Sequence, residues 1–327
     1  MRYFLGIDIG NSKSHALIAD AQGRCVGAGQ AGPGSWEAVG WEQAQQLLHD
    51  IVNQAMAQAG IPRTAIAGAG FGYAGYDWPE DRPGHEKIIA SLGFGNMPYI
   101  LGNDTLVGLV AGAASGWGVV IVAGTSNNCC GRDRNGRVGR VTGMGSWLGE
   151  FGGATEIVTR AIQAVAADWT RRGPHTALST ALVERAGARD VPDLLAGLVR
   201  HRYSLTAATA PLIFQLAGAG DPVAQEIITW AGTELGSLAV GVIRQLGLAE
   251  DSFDVVLSGS TYRGGAPLIE PLRRTVQAVA PAARLVQLQA PPVVGGVLLG
   301  MEAAGLDASP MRPNLLTSAN ELLDFQP

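Results

Sequence analysis

The sequence predicts an α/β protein of two domains, residues 1–114 and 115–327. Three observations lead to this prediction. The chain has 327 residues, a length typical of two domains. Each half opens in the same way, with an apolar strand, a short polar turn that contains Gly, and a second strand. A long stretch of helical pattern at residues 154–248 then fits an insertion in the second half.

Composition narrows the class of protein. Apolar residues make up 47% of the chain and charged residues 16%, which excludes a disordered chain. The formal net charge is −5 without a basic block, which argues against a nucleic-acid or membrane-surface partner. No apolar run approaches the ~20 residues of a spanning helix, and the three cysteines match no zinc pattern. We therefore expect a soluble, cytoplasmic protein.

The first half has the pattern β-β-β-α-β-α-β-α. Apolar runs that end in turn residues predict its strands, and helical periodicity that ends at Gly predicts its helices. The predicted strands are residues 3–9, 14–20, 24–30, 65–72 and 99–101. The predicted helices are residues 85–92, residues 106–114 and a helix of about 20 residues that begins near Ser35 and ends at Gly60. A loop at residues 73–83 contains Tyr76, Asp77 and Trp78.

The second half repeats the opening of the first, as a weak internal repeat. Its predicted strands are residues 117–123, 129–132, 137–141, 253–257 and 284–288. Helices fill residues 154–248 with a break at 172–174, another follows Gly265, and an apolar helix covers residues 293–304. The last ~20 residues carry no strong pattern and predict a loosely held tail.

The turn after the first strand predicts an anion site. Asp8 lies inside an apolar strand, where a lone carboxylate needs a partner such as a bound cation. Gly10, Asn11, Ser12 and Lys13 then form a tight turn whose N–H groups suit a phosphate. An ordinary hairpin with a chance Asp is the alternative.

Two more strand ends contain Gly together with Ser or Thr, like the turn after the first strand. Gly124, Thr125 and Ser126 follow the first strand of the second half. If the halves are duplicated domains that face each other, the two turns hold one polyphosphate from both sides of a cleft. The strand end at Gly259 and Ser260, with Gly264 after it, would let a flat adenine ring lie close to the backbone.

Two interpretations fit Asn103 and Asp104, which lie where a strand ends and a helix begins. Asp104 is a candidate general base for an attacking hydroxyl. The residues alone favour a helix N-cap, for which Asn and Asp are preferred. Trp147 and Glu150, in a Gly-rich loop before a helix, are candidates for contact with a polar ligand.

A resemblance to a known superfamily covers nearly the whole chain. Residues 6–13 and 120–126 resemble the two phosphate motifs of the actin, hexokinase and heat-shock chaperone ATPases. Residues 255–261 resemble their adenosine motif, and residues 294–304 resemble their last interdomain helix. The resemblance implies two ribonuclease H-like (actin-like ATPase) domains with a central cleft, ATP as ligand and a final helix at the interdomain hinge. It makes Asp8 the carboxylate that acts through Mg²⁺.

Within that superfamily the chain is most similar to the N-acetylglucosamine kinase branch, which also includes ATPase activators of two acyl-CoA enzymes. The similarity implies Asp104 as catalytic base, Thr125 as a phosphate contact and Asn128 as a sugar contact. Gly75, Trp147 and Glu150 join Asn128 as expected substrate-binding residues. The similarity also implies a homodimer.

Two departures from the branch concern the sugar. A family Asp-Glu-Gly-Ser aligns with residues 150–153, so the carboxylate is longer at Glu150 and the next acid is Phe151. An Asn of the first sugar loop has no match, since Gly34, Ser35 and Trp36 stand there. A displaced hydrogen-bond partner shifts substrate choice strongly, so the identity of the sugar stays open.

The expected function is an ATP- and Mg²⁺-dependent sugar kinase that phosphorylates a hydroxyl, the 6-hydroxyl, of an amino sugar such as N-acetylglucosamine or glucosamine. Two other functions stay open. One is a redox activator that passes electrons from an iron–sulfur cluster, which needs two well-placed thiolates per chain. The other is a sugar-sensing nucleotide-binding module that transfers no phosphate.

Overall fold

Two five-stranded sheets form the framework of the protein, and the computed structural model describes residues 2–324. The strands of the first sheet are β1 (Tyr3–Ile9), β2 (Ser14–Asp20), β3 (Cys25–Ala31), β4 (Ile66–Tyr73) and β5 (Tyr99–Asn103). Those of the second are β6 (Gly118–Ala123), β7 (Asn127–Arg132), β8 (Val138–Arg140), β9 (Asp254–Ser258) and β10 (Arg284–Gln287). All ten strands were predicted within a few residues.

The two sheets have the same topology. In each, the first strand pairs antiparallel with the second and parallel with the fourth. The third strand extends the antiparallel side, and the fifth extends the parallel side. The strand order is therefore β3-β2-β1-β4-β5 in one sheet and β10-β9-β6-β7-β8 in the other. This shared order confirms the internal repeat that the sequence predicted only weakly.

Twelve helices within residues 2–324 pack on and between the sheets. They are α1 (Trp36–Val39), α2 (Trp41–Ala59), α3 (Arg82–Ser91), α4 (Asp104–Gly112), α5 (Ala154–Trp169), α6 (Leu178–Ala186), α7 (Val191–Val199), α8 (Ala210–Gly218), α9 (Pro222–Leu246), α10 (Ala266–Gln277), α11 (Val293–Ala303) and α12 (Arg312–Leu323). The helix predicted from Ser35 to Gly60 is two helices, because Gly40 adopts φ +81° between them. Trp36 and Trp41 stack across that break with ring centroids 4.5 Å apart.

Parallel pairing brings the functional segments to one edge of each sheet. Ile9 of β1 lies beside Tyr73 of β4, and Tyr73 lies beside Asn103 of β5. Parallel strands end at the same edge, so the Gly10 turn, the loop 73–83 and Asp104 emerge together. In the second sheet Val122 pairs with Ser258, which brings the Gly124 turn next to the end of β9.

A layer of helices separates the sheets. Buried side chains of α4 and α11 form one apolar cluster with residues of both sheets, among them Phe4, Val120 and Val256. Close backbone contact makes this packing possible. A Cβ built on Gly70 of β4 would lie only 2.2 Å from the carbonyl oxygen of Gly296 in α11, and a real Cβ cannot approach so closely. Gly is therefore required where α11 crosses β1 and β4.

The C-terminal segment differs from its prediction. The loosely held tail expected over the last ~20 residues is wrong, because α12 packs against β3 and α4. Leu315 is fully buried, and the hydroxyl of Ser318 accepts a hydrogen bond from the backbone N–H of Cys25 at 3.0 Å. Arg312 donates to the carbonyl oxygen of Val110 at 2.9 Å. These partners are far away in sequence, so the local pattern gave little sign of them. Residues 325–327 of the predicted tail lie outside the described part of the chain.

The long helix α9 bears on the expectation that no apolar run approaches the length of a membrane-spanning helix. By length and composition α9 could cross a membrane, and 61% of its apolar window is buried inside the protein. The core helix of a soluble protein has the same properties. The expectation that no apolar run approaches spanning length is therefore wrong for this helix.

Candidate active site

The turn after β1 is a closed loop that leaves its tip exposed. The backbone N–H of Gly10 donates to the carbonyl oxygen of Lys13 at 3.0 Å, and the N–H of Gly34 donates to Gly10 at 3.1 Å. A Cβ on Gly10 would lie 2.7 Å from that Lys13 oxygen, so the turn needs Gly there. Asn11, Ser12 and Lys13 are exposed at the tip. The turn therefore presents polar groups and one cation to the space between the sheets.

The turn after β6 is held in a similar way. The N–H of Gly124 donates to the carbonyl oxygen of Ser126 at 2.9 Å. The carbonyl oxygen of Gly124 accepts from the N–H of Ala154, at the start of α5, and from the hydroxyl of Thr261 at 3.1 Å. Thr125 and Ser126 remain exposed. Because its carbonyl groups are occupied, the turn has N–H and hydroxyl groups to offer an anion.

A central cavity of about 1000 Å³ lies between the two halves. Eight of the predicted residues line it: Asp8, Gly10, Asn11, Ser12, Lys13, Asp104, Gly259 and Ser260. His15 also lines it, and burial lowers the pKa of this imidazole. The structure therefore brings the predicted phosphate turn, the metal carboxylate, the base and part of the adenosine motif into one space.

Two further cavities adjoin the central one. A cavity of about 680 Å³ is lined by Gly124, Thr125 and Gly264, and it shares Ser260 with the central cavity. Phe214 lies against Gly264 there, since a Cβ on this Gly would meet the Phe214 ring at 2.2 Å. A third cavity of about 380 Å³ contains Asn128 and shares Thr105 with the central cavity. Ser126 follows Thr125 in the sequence, but it does not line this second cavity.

Asn103, and not Asp104, takes the N-cap position at the start of α4. Asn103 Oδ1 accepts hydrogen bonds from the N–H of Thr105 at 3.0 Å and from its hydroxyl at 2.7 Å. Asp104 is the first helical residue, and it lines the central cavity. Its carboxylate also accepts hydrogen bonds from backbone N–H groups at the helix start. Burial, and then the negative charge of Asp77, raise the pKa of Asp104 to about 7. Such a group exchanges protons near neutral pH.

Asp8 suits a magnesium ion. Burial raises the pKa of this carboxyl, and the charge of Asp104 raises it further. Mg²⁺ binds to proteins through one or two carboxylates and keeps water or phosphate oxygens as its other ligands. Within residues 2–324 no cluster of three or more His, Cys, Asp and Glu side chains forms a complete metal site. A single buried carboxylate beside a phosphate turn therefore fits Mg²⁺ and does not fit a structural metal.

Three predicted substrate residues lie outside these cavities. The Glu150 side chain is buried and stabilises its own loop, because its Oε1 accepts from the N–H of Thr142 at 2.6 Å and its Oε2 from the N–H of Gly145 at 3.2 Å. Trp147 is 83% exposed. Gly75 forms a bend with φ +80° and its carbonyl oxygen accepts from Trp36 Nε1 at 2.6 Å. Their assignment to the sugar stays a prediction.

Sequence reasoning missed the side chains that flank Asp104. Asp77 lies near enough to raise its pKa, and Arg140 of β8 approaches Asp77 from the other half at 3.7 Å. Asn103 connects the two acids, since its Nδ2 donates to Asp77 Oδ1 at 3.1 Å. The only sequence signal was that an Asp and a Trp are adjacent in a loop that follows a strand.

Two curated relatives match nearly the whole chain. The N-acetylmuramic acid/N-acetylglucosamine kinase of Clostridium acetobutylicum is 24% identical over 301 residues, which cover 91% of this chain and 98% of that protein. The N-acetyl-D-glucosamine kinase of Dictyostelium discoideum is 25% identical over 312 residues, with 92% and 98% coverage.

Solved structures share the fold. A candidate N-acetylglucosamine kinase from Chromobacterium violaceum superposes with a TM-score of 0.65 at 22% identity and covers 91% of this chain and 99% of its own. A ROK family glucokinase from Streptomyces griseus, in complex with glucose and AMPPNP, gives a TM-score of 0.52 at 17% identity, with 98% and 99% coverage. The two repeated sheets around a central cavity are thus the actin-like ATPase fold that the resemblance implied.

Residues 5–300 match a single family model, which spans both candidate phosphate turns, Asp104 and most of α11. This chain therefore belongs to the BadF/BadG/BcrA/BcrD ATPase family.

Proposed function

We propose that the protein is an ATP- and magnesium-dependent kinase that phosphorylates a hydroxyl group, the 6-hydroxyl, of an amino sugar. One observation carries the proposal. Asp104 lines the same cavity as the Gly10 turn, and its pKa of about 7 suits it to take a proton from an alcohol.

In this proposal the two turns hold the phosphates of ATP from opposite sides. The N–H groups and hydroxyls at Asn11, Ser12, Thr125 and Ser126 donate to phosphate oxygens, and Lys13 adds a positive charge. Lys13 is the only Lys or Arg among the described residues that line the central cavity. Mg²⁺, when bound near Asp8, supplies the charge that a triphosphate needs in such a site.

The acceptor hydroxyl must reach Asp104 while the γ-phosphate lies at the Gly10 turn. The carboxylate orients the hydroxyl and accepts its proton as the phosphoryl group is transferred. The cavity at Gly264 and Phe214 is the proposed adenine site, since it opens from Ser260 and has an aromatic wall. We propose the division at residue 114 as the boundary between two domains that move when substrates bind.

The choice of an amino sugar rests on the curated relatives, which act on N-acetylglucosamine and N-acetylmuramic acid by name. The cysteines argue against the redox activator. Cys129 and Cys130 are adjacent on β7, and they belong to different apolar clusters on the two faces of the sheet. Both are buried, and burial raises the pKa of both thiols. Thiols that point in opposite directions cannot serve one shared cluster as ligands.

The test is a panel of hexoses and hexosamines with ATP and Mg²⁺, in which ADP and phosphorylated sugar are both measured. We expect equal amounts of ADP and sugar phosphate with N-acetylglucosamine or glucosamine, and NMR of the product should place the phosphate on the 6-hydroxyl. ADP without sugar phosphate would instead support the sensing module, and no ADP with any acceptor would disprove the kinase.

A further inference from the structure

The third cavity, which we call the side cavity, has the features of a carbohydrate site. It lies between the loop 73–83 of the first half and β8 of the second, and its volume of about 380 Å³ is in the range of small-molecule sites. Asp77, Trp78 and Arg140 form its charged and aromatic wall, and Asn103 and Asn128 add amide groups. None of the residues that hold nucleotide in the proposed function lines it.

The loop that carries Asp77 and Trp78 is held in place before any ligand arrives. Asp81 Oδ2 accepts hydrogen bonds from the backbone N–H of Asp77 at 3.0 Å and of Trp78 at 2.7 Å. The bend at Gly75 is anchored by Trp36 and by His85, whose Nε2 lies 3.3 Å from the Gly75 carbonyl oxygen. Preorganised side chains lose little entropy when they bind.

Asp77 is buried with too few partners. Its side chain is only 10% exposed. Asn103 donates to Oδ1, and Arg140 Nη1 is 3.7 Å from the same atom, which is too long for a hydrogen bond. Within the described part of the chain, no hydrogen bond reaches Oδ2. Oδ2 is not fully buried. It keeps its lone pairs open to the cavity that Asp77 lines, and the hydroxyl groups of a sugar can donate to it there.

The guanidinium group of Arg140 also has few hydrogen-bond partners. Its Nη1 is 3.5 Å from the carbonyl oxygens of Val141 and Thr142, at the outer limit of a hydrogen bond. The guanidinium lies 4.9 Å from the ring centroid of Trp78, and Trp78 is 46% exposed. The other guanidinium N–H groups are free to donate to an oxygen of a ligand. An exposed Trp face beside a carboxylate and a guanidinium matches a ring with an apolar face and polar edges.

The side cavity leads to the proposed base. Thr105 lines both the side cavity and the central cavity, and Asn103 connects Asp77 to the start of α4. A ring bound between Trp78 and Asn128 can therefore direct one hydroxyl group to Asp104.

We propose that the side cavity binds the pyranose ring of the acceptor, with Asp77 accepting hydrogen bonds from ring hydroxyls and Arg140 donating to a ring substituent oxygen. The inference rests on the proposed function, because it places the acceptor of that reaction. Asp77, Trp78 and Arg140 are then residues that determine the acceptor, while Glu150 shapes a neighbouring loop.

The test uses Asp77→Asn, Trp78→Leu and Arg140→Lys in the full-length protein. With N-acetylglucosamine as acceptor, each variant should raise the acceptor KM roughly 10- to 100-fold, the usual loss for a hydrogen bond to a charged group. The KM for ATP should stay within about twofold of the unsubstituted protein, because none of the three residues lines the central cavity. Isothermal titration with N-acetylglucosamine in the presence of AMPPNP and Mg²⁺ measures sugar binding directly.

Arg134→Lys and Asp251→Asn are matched controls. Arg134 pairs with Asp251 at 2.9 Å and lies 4.7 Å from the ring centroid of Trp117, so the same three residue types meet on another surface. These controls should leave the acceptor KM unchanged.

The inference is overturned if the side-cavity variants keep the acceptor KM, or if they change only Tm and kcat, as a purely structural contact would. If the unsubstituted protein transfers no phosphate, the proposed function fails, and sugar binding that is lost in Asp77→Asn still supports the side cavity. Absence of sugar binding by the unsubstituted protein overturns it.

Discussion

At the scale of single residues, the start of α4 places a helix cap and the candidate base at neighbouring positions. Asn103 takes the N-cap position and accepts from the N–H of Thr105, while Asp104, the next residue, lines the central cavity. We predict that Asp104→Asn lowers phosphoryl transfer by at least ~10³-fold, a typical contribution of a general base. AMPPNP affinity, measured by titration calorimetry, should stay nearly unchanged because the phosphate turns are intact. Near-normal turnover would show that Asp104 is not the base.

The acidity of Asp104 gives a second prediction. The base must be deprotonated to act, and its pKa is about 7. The ratio kcat/KM reports the ionisation of the free enzyme, so kcat/KM for the acceptor should fall as pH drops through about 7. The charge of Asp77 contributes to the raised pKa, so Asp77→Asn should move this inflection to lower pH. A profile of kcat/KM against pH with the same inflection in both proteins would contradict the assignment.

At the scale of elements, contact between α11 and α4 depends on Gly295. A Cβ at this position would lie 1.9 Å from the carbonyl oxygen of Val107, in the helix that begins with Asp104. We predict that Gly295→Ala lowers the free energy of unfolding by about 3 kcal/mol and also lowers activity, since α4 must move. Urea denaturation measures the first effect.

Gly241→Ala in α9 is the control, because a Cβ there meets no atom within 4 Å. It should raise stability slightly, by about 0.5–1 kcal/mol. Equal effects of the two substitutions would mean that helix propensity, and not close packing, explains Gly295.

The elements also show what the sequence could and could not predict. β1 and β2 were predicted at their observed bounds because an apolar run that ends in Gly, Asn or Asp is a local signal. The break at Gly40 was missed, since the stacking of Trp41 on Trp36 is a tertiary contact. The docking of α12 was missed for the same reason.

The same distinction between local signals and tertiary contacts explains which features of the candidate site could be predicted. Gly10 and Asp8 line the central cavity together, and this was predictable because their signal is local. Which of the two carboxylates, Glu150 or Asp77, lines a cavity was not predictable, because both lie in similar loop contexts. Only the folded chain shows that Glu150 is occupied by its own loop and that Asp77 Oδ1 is linked to Asn103.

At the scale of the whole molecule, the central cavity takes its walls from both halves. Gly10 and Asp104 belong to one half, and Ser258 and Gly259 belong to the other. We predict that AMPPNP with Mg²⁺ protects amides of both the Gly10 and the Gly259 segments from hydrogen exchange and raises Tm, as any ligand of the folded state does. Removal of Mg²⁺ with EDTA should abolish most of the rise. Protection confined to one segment would show that the nucleotide does not bridge the halves.

The crossing of α11 over the first sheet has a consequence for biosynthesis. The ribosome completes β1 to β5 early, but the helix that covers β1 and β4 begins only at Val293. Until that helix emerges, the glycine-lined face of the sheet is open to chaperones and to other nascent chains. A chain that stops before Val293 keeps this face exposed however well the rest has folded. Completion of the N-terminal half therefore has to wait until the helix that begins at Val293 has been synthesised.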